Sequence, residues 1–185
     1  MWTAALEVAG TANDSEAVGR IGFRAHTDGN VSTAARAWAT VTAIDDPATE
    51  WVRQAAAFSR GRGDRGDELP LRERLLELTE AAHGPDHPEV ATVLTDLGIA
   101  WCELGQPAKA CEPLERALRI HEREFGPNHP EVARMSSNLG NAWRELGQPA
   151  KARELYERAL RIHEGEFGPN HPDVATVLSN LGEKG

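Results

Sequence analysis

Cysteine is scarce in this chain. Cys102 and Cys111 are the only two among 185 residues, which excludes a disulfide framework and fits a reducing compartment. No apolar run approaches the roughly 20 residues needed to cross a bilayer. The start, Met1-Trp2-Thr3-Ala4-Ala5-Leu6, has no basic region ahead of an apolar stretch, so the expected location is cytoplasmic. Cations are few: 20 Lys and Arg against 29 Asp and Glu give a formal charge of −9 and a pI near 5.3. That balance argues against a nucleic acid or an anionic membrane as partner, because both require clustered Lys and Arg. Motifs that carry chemistry are missing too. There is no Gly-x-x-x-x-Gly-Lys-[Ser/Thr] phosphate loop, no nucleophile elbow, no Cys-x-x-Cys and no His-Glu-x-x-His. The chain is therefore not expected to be an enzyme, and no catalytic residue, metal or cofactor is assigned.

What the sequence has instead is repetition. Gly84-Pro85-Asp86-His87-Pro88-Glu89-Val90-Ala91 returns at 126–133 with Asn128, and at 168–175 with Asn170 and Asp173, at an offset of 42 residues both times. Self-similarity at such a period marks a solenoid, in which one supersecondary unit cannot bury its apolar face alone. Function is then to be sought on a surface. The counterparts of Cys102 and Cys111 one repeat later are Arg144 and Arg153, so both thiols are expected to face water beside the turn between two helices.

Within the unit, Val90, Leu94, Leu97, Trp101 and Leu104 recur at three- and four-residue spacing and form one apolar stripe of a helix. Gly105-Gln106-Pro107 ends it, since glycine takes the left-handed conformation of a C-terminal cap and proline suits the first turn of the next helix. Ala110, Leu114, Ala117, Leu118 and Phe125 make a second stripe, which completes a helical hairpin. At the start of each hairpin, Asp86 with Glu89, Asn128 with Glu131 and Asn170 with Asp173 have the spacing of a capping box. His87, His129 and His171 are assigned a structural role. Equivalent atoms of successive repeats lie at least a helix-packing distance of roughly 8–10 Å apart, too far to share one metal. Glu115 with Arg119 and Glu157 with Arg161 have the spacing of surface ion pairs.

Leu94-x-x-Leu97-Gly98-x-x-Trp101 followed by Ala110-x-x-x-Leu114 and Ala117, and Leu139-Gly140-x-x-Trp143 followed by Ala152-x-x-x-Tyr156 and Ala159, resemble the tetratricopeptide repeat. The period of 42 with its Gly-Pro-Asn-His-Pro link is similar to the longer variant of kinesin light chain and of many bacterial signalling proteins. The resemblance implies an all-α fold, a right-handed superhelix of about four hairpins plus a terminal helix, running as one solenoid over 1–185. Its units are 14–45 (divergent), 47–83 (degenerate), 86–125, 128–167 and the half repeat 170–182. In the first unit Val18, Ile21, Gly22, Ala25, Gly29, Ala34, Trp38, Val41 and Ile44 keep the spacing with altered residues. In the second, Val52, Ala55 and Ala56 fall in place, but Ser59, Glu68 and Arg72 stand where Trp, Ala and an aromatic residue are expected. The stretch Gly61–Asp67, rich in glycine and charge, reads as a loop, with the next helix starting near Leu69. Its two Arg-Gly-Asp triplets, and the Asn30-Val31-Ser32 sequon, carry no function in a protein without a secretion signal.

The resemblance also implies that the first helix of each pair lines a concave groove that holds a peptide. The residues there are Thr92, Thr95, Asp96, Ile99 and Glu103, then Arg134, Ser137, Asn138, Asn141, Arg144 and Glu145, then Thr176, Ser179 and Asn180. An asparagine amide can satisfy a partner's backbone N–H and C=O together, so Asn138, Asn141 and Asn180 lead the candidates, with Thr92, Asp96, Ile99, Arg134 and Arg144 beside them. Six of the twelve differences between 84–125 and 126–167 fall at 92–96 and 99, where a scaffold would tune its surface. No lysine lies on this face, which disfavours a carboxylate tail as ligand. The expected partner is a protein or peptide. In the last helix, Val174, Val177, Leu178 and Leu181 form an apolar stripe without a covering second helix, so the chain is expected either to be a piece of a longer array or to pair end to end with another copy. An alternative function is the sensory or oligomerising segment of a bacterial signalling protein, beside a nucleotide-switching ATPase.

Overall fold

Helix follows helix through the described residues of the computed structural model, which are 9–10, 14–27, 29, 31–42, 49–62 and 65–182. In chain order the helices are α1 (Ser15–Thr27), α2 (Val31–Thr42), α3 (Thr49–Arg62), α4 (Arg65–His83), α5 (Pro88–Glu103), α6 (Pro107–Phe125), α7 (Pro130–Glu145), α8 (Pro149–Phe167) and α9 (Pro172–Leu181). No strand occurs among the described residues. The chain divides into two units, Met1–Ala82 and His83–Gly185.

In the first unit α1 packs on α2 and α2 on α3. Asp14 caps α1 by accepting the Ala17 amide at 2.9 Å, and Gly29 turns the chain with φ 73°. The alanines and valines of the stripe, Val18, Ala25, Ala34, Val52, Ala55 and Ala56, are buried as their spacing demands. Ile44 and the side chains of Trp38 and Val41 lie outside the described residues, as do Asn30, Gly63 and Asp64. The loop expected over Gly61–Asp67 is a correction: α3 runs to Arg62 and α4 begins at Arg65. Helix gains one hydrogen bond per residue once nucleated, and that gain outweighs one glycine at each end. The residues that break the repeat pattern are all buried. Glu68 is 0% and Arg72 4% exposed, and Arg72 Nε donates to Glu68 Oε1 at 2.6 Å. An ion pair thus occupies the place of an alanine and an aromatic ring.

The second unit is built from two hairpins, α5–α6 and α7–α8, with α9 laid on α8. Each hairpin turn is a Schellman motif. Gly105 (φ 68°) donates to Cys102 O at 2.8 Å while Gln106 donates to Trp101 O at 2.9 Å, and Gly147 and Gln148 repeat this on Arg144 and Trp143. Where the helices of a hairpin cross, Gly98 lies against Leu114 and Gly140 against the Tyr156 ring. The core joins both hairpins through Leu114, Leu118, Met135, Leu139, Tyr156 and Val177.

Several expectations are corrected here. The helix caps are the histidines: Nδ1 of His87, His129 and His171 accepts from Glu89, Glu131 and Asp173 amides at 3.2, 3.1 and 3.3 Å. Proline at the first helical position fixes the histidine as the last extended residue, so Asp86, Asn128 and Asn170 stand one place too early to cap. Cys111 is buried and Cys102 half-buried, because the turn of the next hairpin covers them. Their Arg counterparts one repeat later are exposed. Burial, with Glu145 next, pushes the Cys102 thiol up to about 11, which keeps it protonated and unreactive. Phe125 leaves its stripe and is 43% exposed. Arg153 takes Glu157 at 2.8 Å, so Arg161 does not pair with it, and no Glu115–Arg119 pair forms.

Candidate functional site

Helices α7, α8 and α9 enclose a cleft of about 330 Å³. Its α7 wall carries Arg134, Ser137, Asn138 and Asn141; α9 supplies Thr176, Val177 and Asn180; His163 and Phe167 of α8 close the end. The periodicity explains the convergence, since Asn138 and Asn180 are one repeat apart and present the same helix face.

Of the eight groove candidates, the cleft gathers Arg134, Asn138, Asn141 and Asn180. Thr92, Asp96 and Ile99 lie on α5 and do not line it, and the exposed Thr92 hydroxyl donates to Pro88 O of its own helix. Arg144 does not line it either. Its guanidinium sits over the Tyr156 ring, 5.9 Å from the centroid. Thr95 faces inward and is 5% exposed, donating to Ala91 O at 2.7 Å and lying 3.1 Å from Met135 Sδ. One α5 position read as groove thus belongs to the contact between first helices. Lys109 and Lys151 are held over the Trp101 and Trp143 rings at 4.3 and 3.7 Å, and serve their own hairpins.

Hydrogen-bonding capacity in the cleft is unevenly spent. Tyr156 donates to Asn141 Oδ1 at 2.7 Å, leaving the Asn141 NH₂ as a donor. Arg134 forks onto Glu131 Oε2 at 3.0 and 2.6 Å, and that hydrogen bond holds the Glu131 carboxyl below its ordinary range. Ser137 Oγ and His163 Nδ1 are buried without a hydrogen-bond partner, and a buried group left so costs about 1–3 kcal/mol.

The histidine wall was missed in the sequence, although its signal was there: His163 and Phe167 stand at i and i+4 ahead of His171, so one stack can form. Phe167 lies between His163 and His171 with centroids 5.8 and 4.4 Å apart, and His121, Phe125 and His129 stack likewise at 5.6 and 4.7 Å. That is where the apolar side of the exposed phenylalanines goes.

Burial pushes the His121 and His163 imidazoles below the ordinary value of 6.5. Glu131 and Asp173 respectively oppose the shift, while Arg134 and His129, and His171, add to it. The unfolded chain therefore binds protons as pH falls through about 6.5 while the folded chain resists. Stability should drop below that pH, by at most about 1.4 kcal/mol per histidine per pH unit. Glu131, with its lowered carboxyl, acts only at more acid pH. Denaturant midpoints at about pH 7.5 and about pH 5.5 check this: the midpoint should fall, and His121→Gln/His163→Gln should flatten the dependence. An unchanged midpoint would refute it.

Residues 99–165 and 136–183 match the family model of the tetratricopeptide repeat. Residues 99–183 of the chain thus carry tetratricopeptide repeats. No curated protein matches it. Solved structures share the fold. BtubC (BKLC) from P. vanneervenii is 20% identical with a TM-score of 0.68, over 98% of this chain and 79% of that one. The nearly identical TPR-like repeats of a putative kinesin light chain from Podosopora anserina are 20% identical with a TM-score of 0.69, over 91% and 84%. MamA from Desulfovibrio magneticus RS-1 is 17% identical with a TM-score of 0.57, over 91% and 92%. The matched tetratricopeptide repeats contain the whole cleft. Among the described residues no helix is long and apolar enough to cross a membrane, and no cluster of His, Cys, Asp or Glu could hold a metal.

Proposed function

We propose that the chain is a non-catalytic interaction module that holds an extended segment of a partner protein in the cleft between α7, α8 and α9. Tetratricopeptide-repeat folds are generally non-catalytic scaffolds that bind proteins or peptides. One observation carries the site: a single cleft collects Ser137 Oγ and His163 Nδ1, both buried and unpartnered, with Asn138 and Asn180 one repeat apart. A peptide backbone supplies a donor and an acceptor at every residue and can pair with the Asn138 and Asn180 amides directly, and with Ser137 Oγ once its side chain turns into the cleft. Formal charges in the lining are Glu131, Asp173 and Arg134, which favours a neutral or basic segment over an acidic one.

A peptide selected against the chain from a displayed library tests this reading. Asn138→Ala/Asn180→Ala removes at least two hydrogen bonds of about 0.5–1.5 kcal/mol each, so affinity should fall about fivefold or more. Equal binding by the variant would place the partner elsewhere.

The leucines of α9 support a second reading, self-association, with narrower means than its sequence offered. Val174 and Val177 are buried within the chain at 1% and 2% exposure, which corrects their assignment to an interface: both already pack inward from α9. Leu178 and Leu181 remain half-buried. Gly182, the repeat counterpart of Gly98 and Gly140, has nothing described within 4 Å. Light scattering decides it. A dimer mass that reverts to monomer with Leu178→Ser/Leu181→Ser supports self-association, and a monomer at high concentration refutes it.

A further inference from the structure

The two complete repeats differ in one contact that has lost both its partners together. In the first, Arg123 of α6 donates to Asp86 Oδ2 at 2.8 Å and ties the linker before α5 to the second helix of the hairpin. Arg116 reaches Pro85 O at 2.5 Å. The Arg123 hydrogen bond, with the charges of Arg123 and Arg116, holds the Asp86 carboxyl below its ordinary range. One repeat later Asn128 stands for Asp86 and Gly165 for Arg123.

A pocket of about 610 Å³ lies there against α8, with the buried Ile162 in its lining. A Cβ added at Gly165 would meet nothing within 4 Å, so no packing constraint explains the glycine. The arginines on the same wall are retained. Arg158, the counterpart of Arg116, donates to Pro127 O at 3.3 Å and pairs with Glu122 at 2.5 Å. Arg161 also lines the pocket, is exposed, and has no ion-pair partner among the described residues, Glu157 being taken by Arg153. The second repeat has thus kept two of the three arginines of the first, as Arg158 and Arg161, while replacing its carboxylate with a neutral amide.

We propose that this pocket is a second binding site, separate from the cleft, which takes one carboxylate of a partner protein. Arg161 and the Asn128 amide donate to it, while Arg158, neutralised by Glu122, forms the wall beside them. Glu166, the one acid of the lining, limits the ligand to a single carboxylate, because a second would face it. The site has been emptied by Gly165, whose counterpart Arg123 fills the same space in the first repeat.

The test is an NMR titration of the full chain with three small probes. N-acetylglutamate N-methylamide presents a side-chain carboxylate, N-acetylglycine presents a chain-terminal one, and N-acetylglutamine N-methylamide is the neutral control. Saturable shifts at the Asn128 side-chain amide, Arg161 Nε–H and Gly165 N–H are expected with the acids and not with the control. The acid that binds more tightly identifies the carboxylate's source. Asn128→Asp/Gly165→Arg installs the ion pair of the first repeat. It should weaken acid binding at least fivefold while leaving the denaturation midpoint unchanged or raised. The proposal is overturned if neither acid gives saturable shifts at these groups, if the control shifts them equally, or if the folded double variant binds as the original does.

Discussion

Replacing Glu68 alone by alanine should destabilise the chain by about 3–5 kcal/mol, the cost of breaking a buried ion pair from one side. Arg72 is 4% exposed and would lose the carboxylate that its Nε reaches at 2.6 Å, while keeping its charge, since a guanidinium does not deprotonate. Arg60, 3.8 Å from Glu68 Oε1 and partly exposed, can turn to solvent; Arg72 cannot. The repeat pattern supplies the rescue, because the equivalent positions carry Ala34 with Trp38 and Ala152 with Tyr156. Glu68→Ala/Arg72→Tyr should therefore recover most of the loss, as apolar replacement of a whole buried pair is often neutral or stabilising. Chemical denaturation of the three proteins checks it. A single variant within about 1 kcal/mol of the parent, or a double variant no better than the single, would show that the pair is not what fills this core.

The crossing of α7 and α8 is the second place where one change should matter greatly. A Cβ on Gly140 would stand 2.7 Å from Tyr156 Cε1, and that ring is 2% exposed with its hydroxyl held by Asn141. Gly140→Leu should cost about 3 kcal/mol, at the upper end of overpacking, despite the better helix propensity of leucine. Tyr156→Ala should cost about 3–5 kcal/mol through its cavity, and it also leaves the Asn141 carbonyl unsatisfied. Combined, the two should cost clearly less than their sum, because the new leucine enters the space the ring vacates. Strict additivity in denaturant midpoints would contradict the contact.

What was legible in the sequence follows from what repeats. Period, apolar stripes, hairpin glycines and the proline at each helix start are local signals, and α5 to α9 run where those signals place them. The cap was misread by one residue because Asp and Asn are the commoner caps, whereas the proline after His87 sets the boundary. Burial at Cys111 depends on the hairpin that follows, which an arginine at the equivalent site one repeat later conceals. Glu68 and Arg72 looked like decay of the pattern, since single-residue matching cannot show that two charges satisfy each other across one helical turn. The cleft was half legible. Its α7 and α9 faces follow from the repeat, but Thr95 turns inward toward Met135, and the wall of His163 and Phe167 comes from the second helix, outside the face considered.

The claim that the cleft holds a partner segment is tested most directly by site-specific photocrosslinking in native cell extract. A photoreactive phenylalanine analogue at Thr176, inside the cleft, is compared with one at Glu154, on the exposed side of α8. The account predicts a discrete protein adduct from position 176 that weakens when Asn138→Ala is added, and none of that mass from position 154. The same adducts from both positions, undiminished by Asn138→Ala, would contradict it.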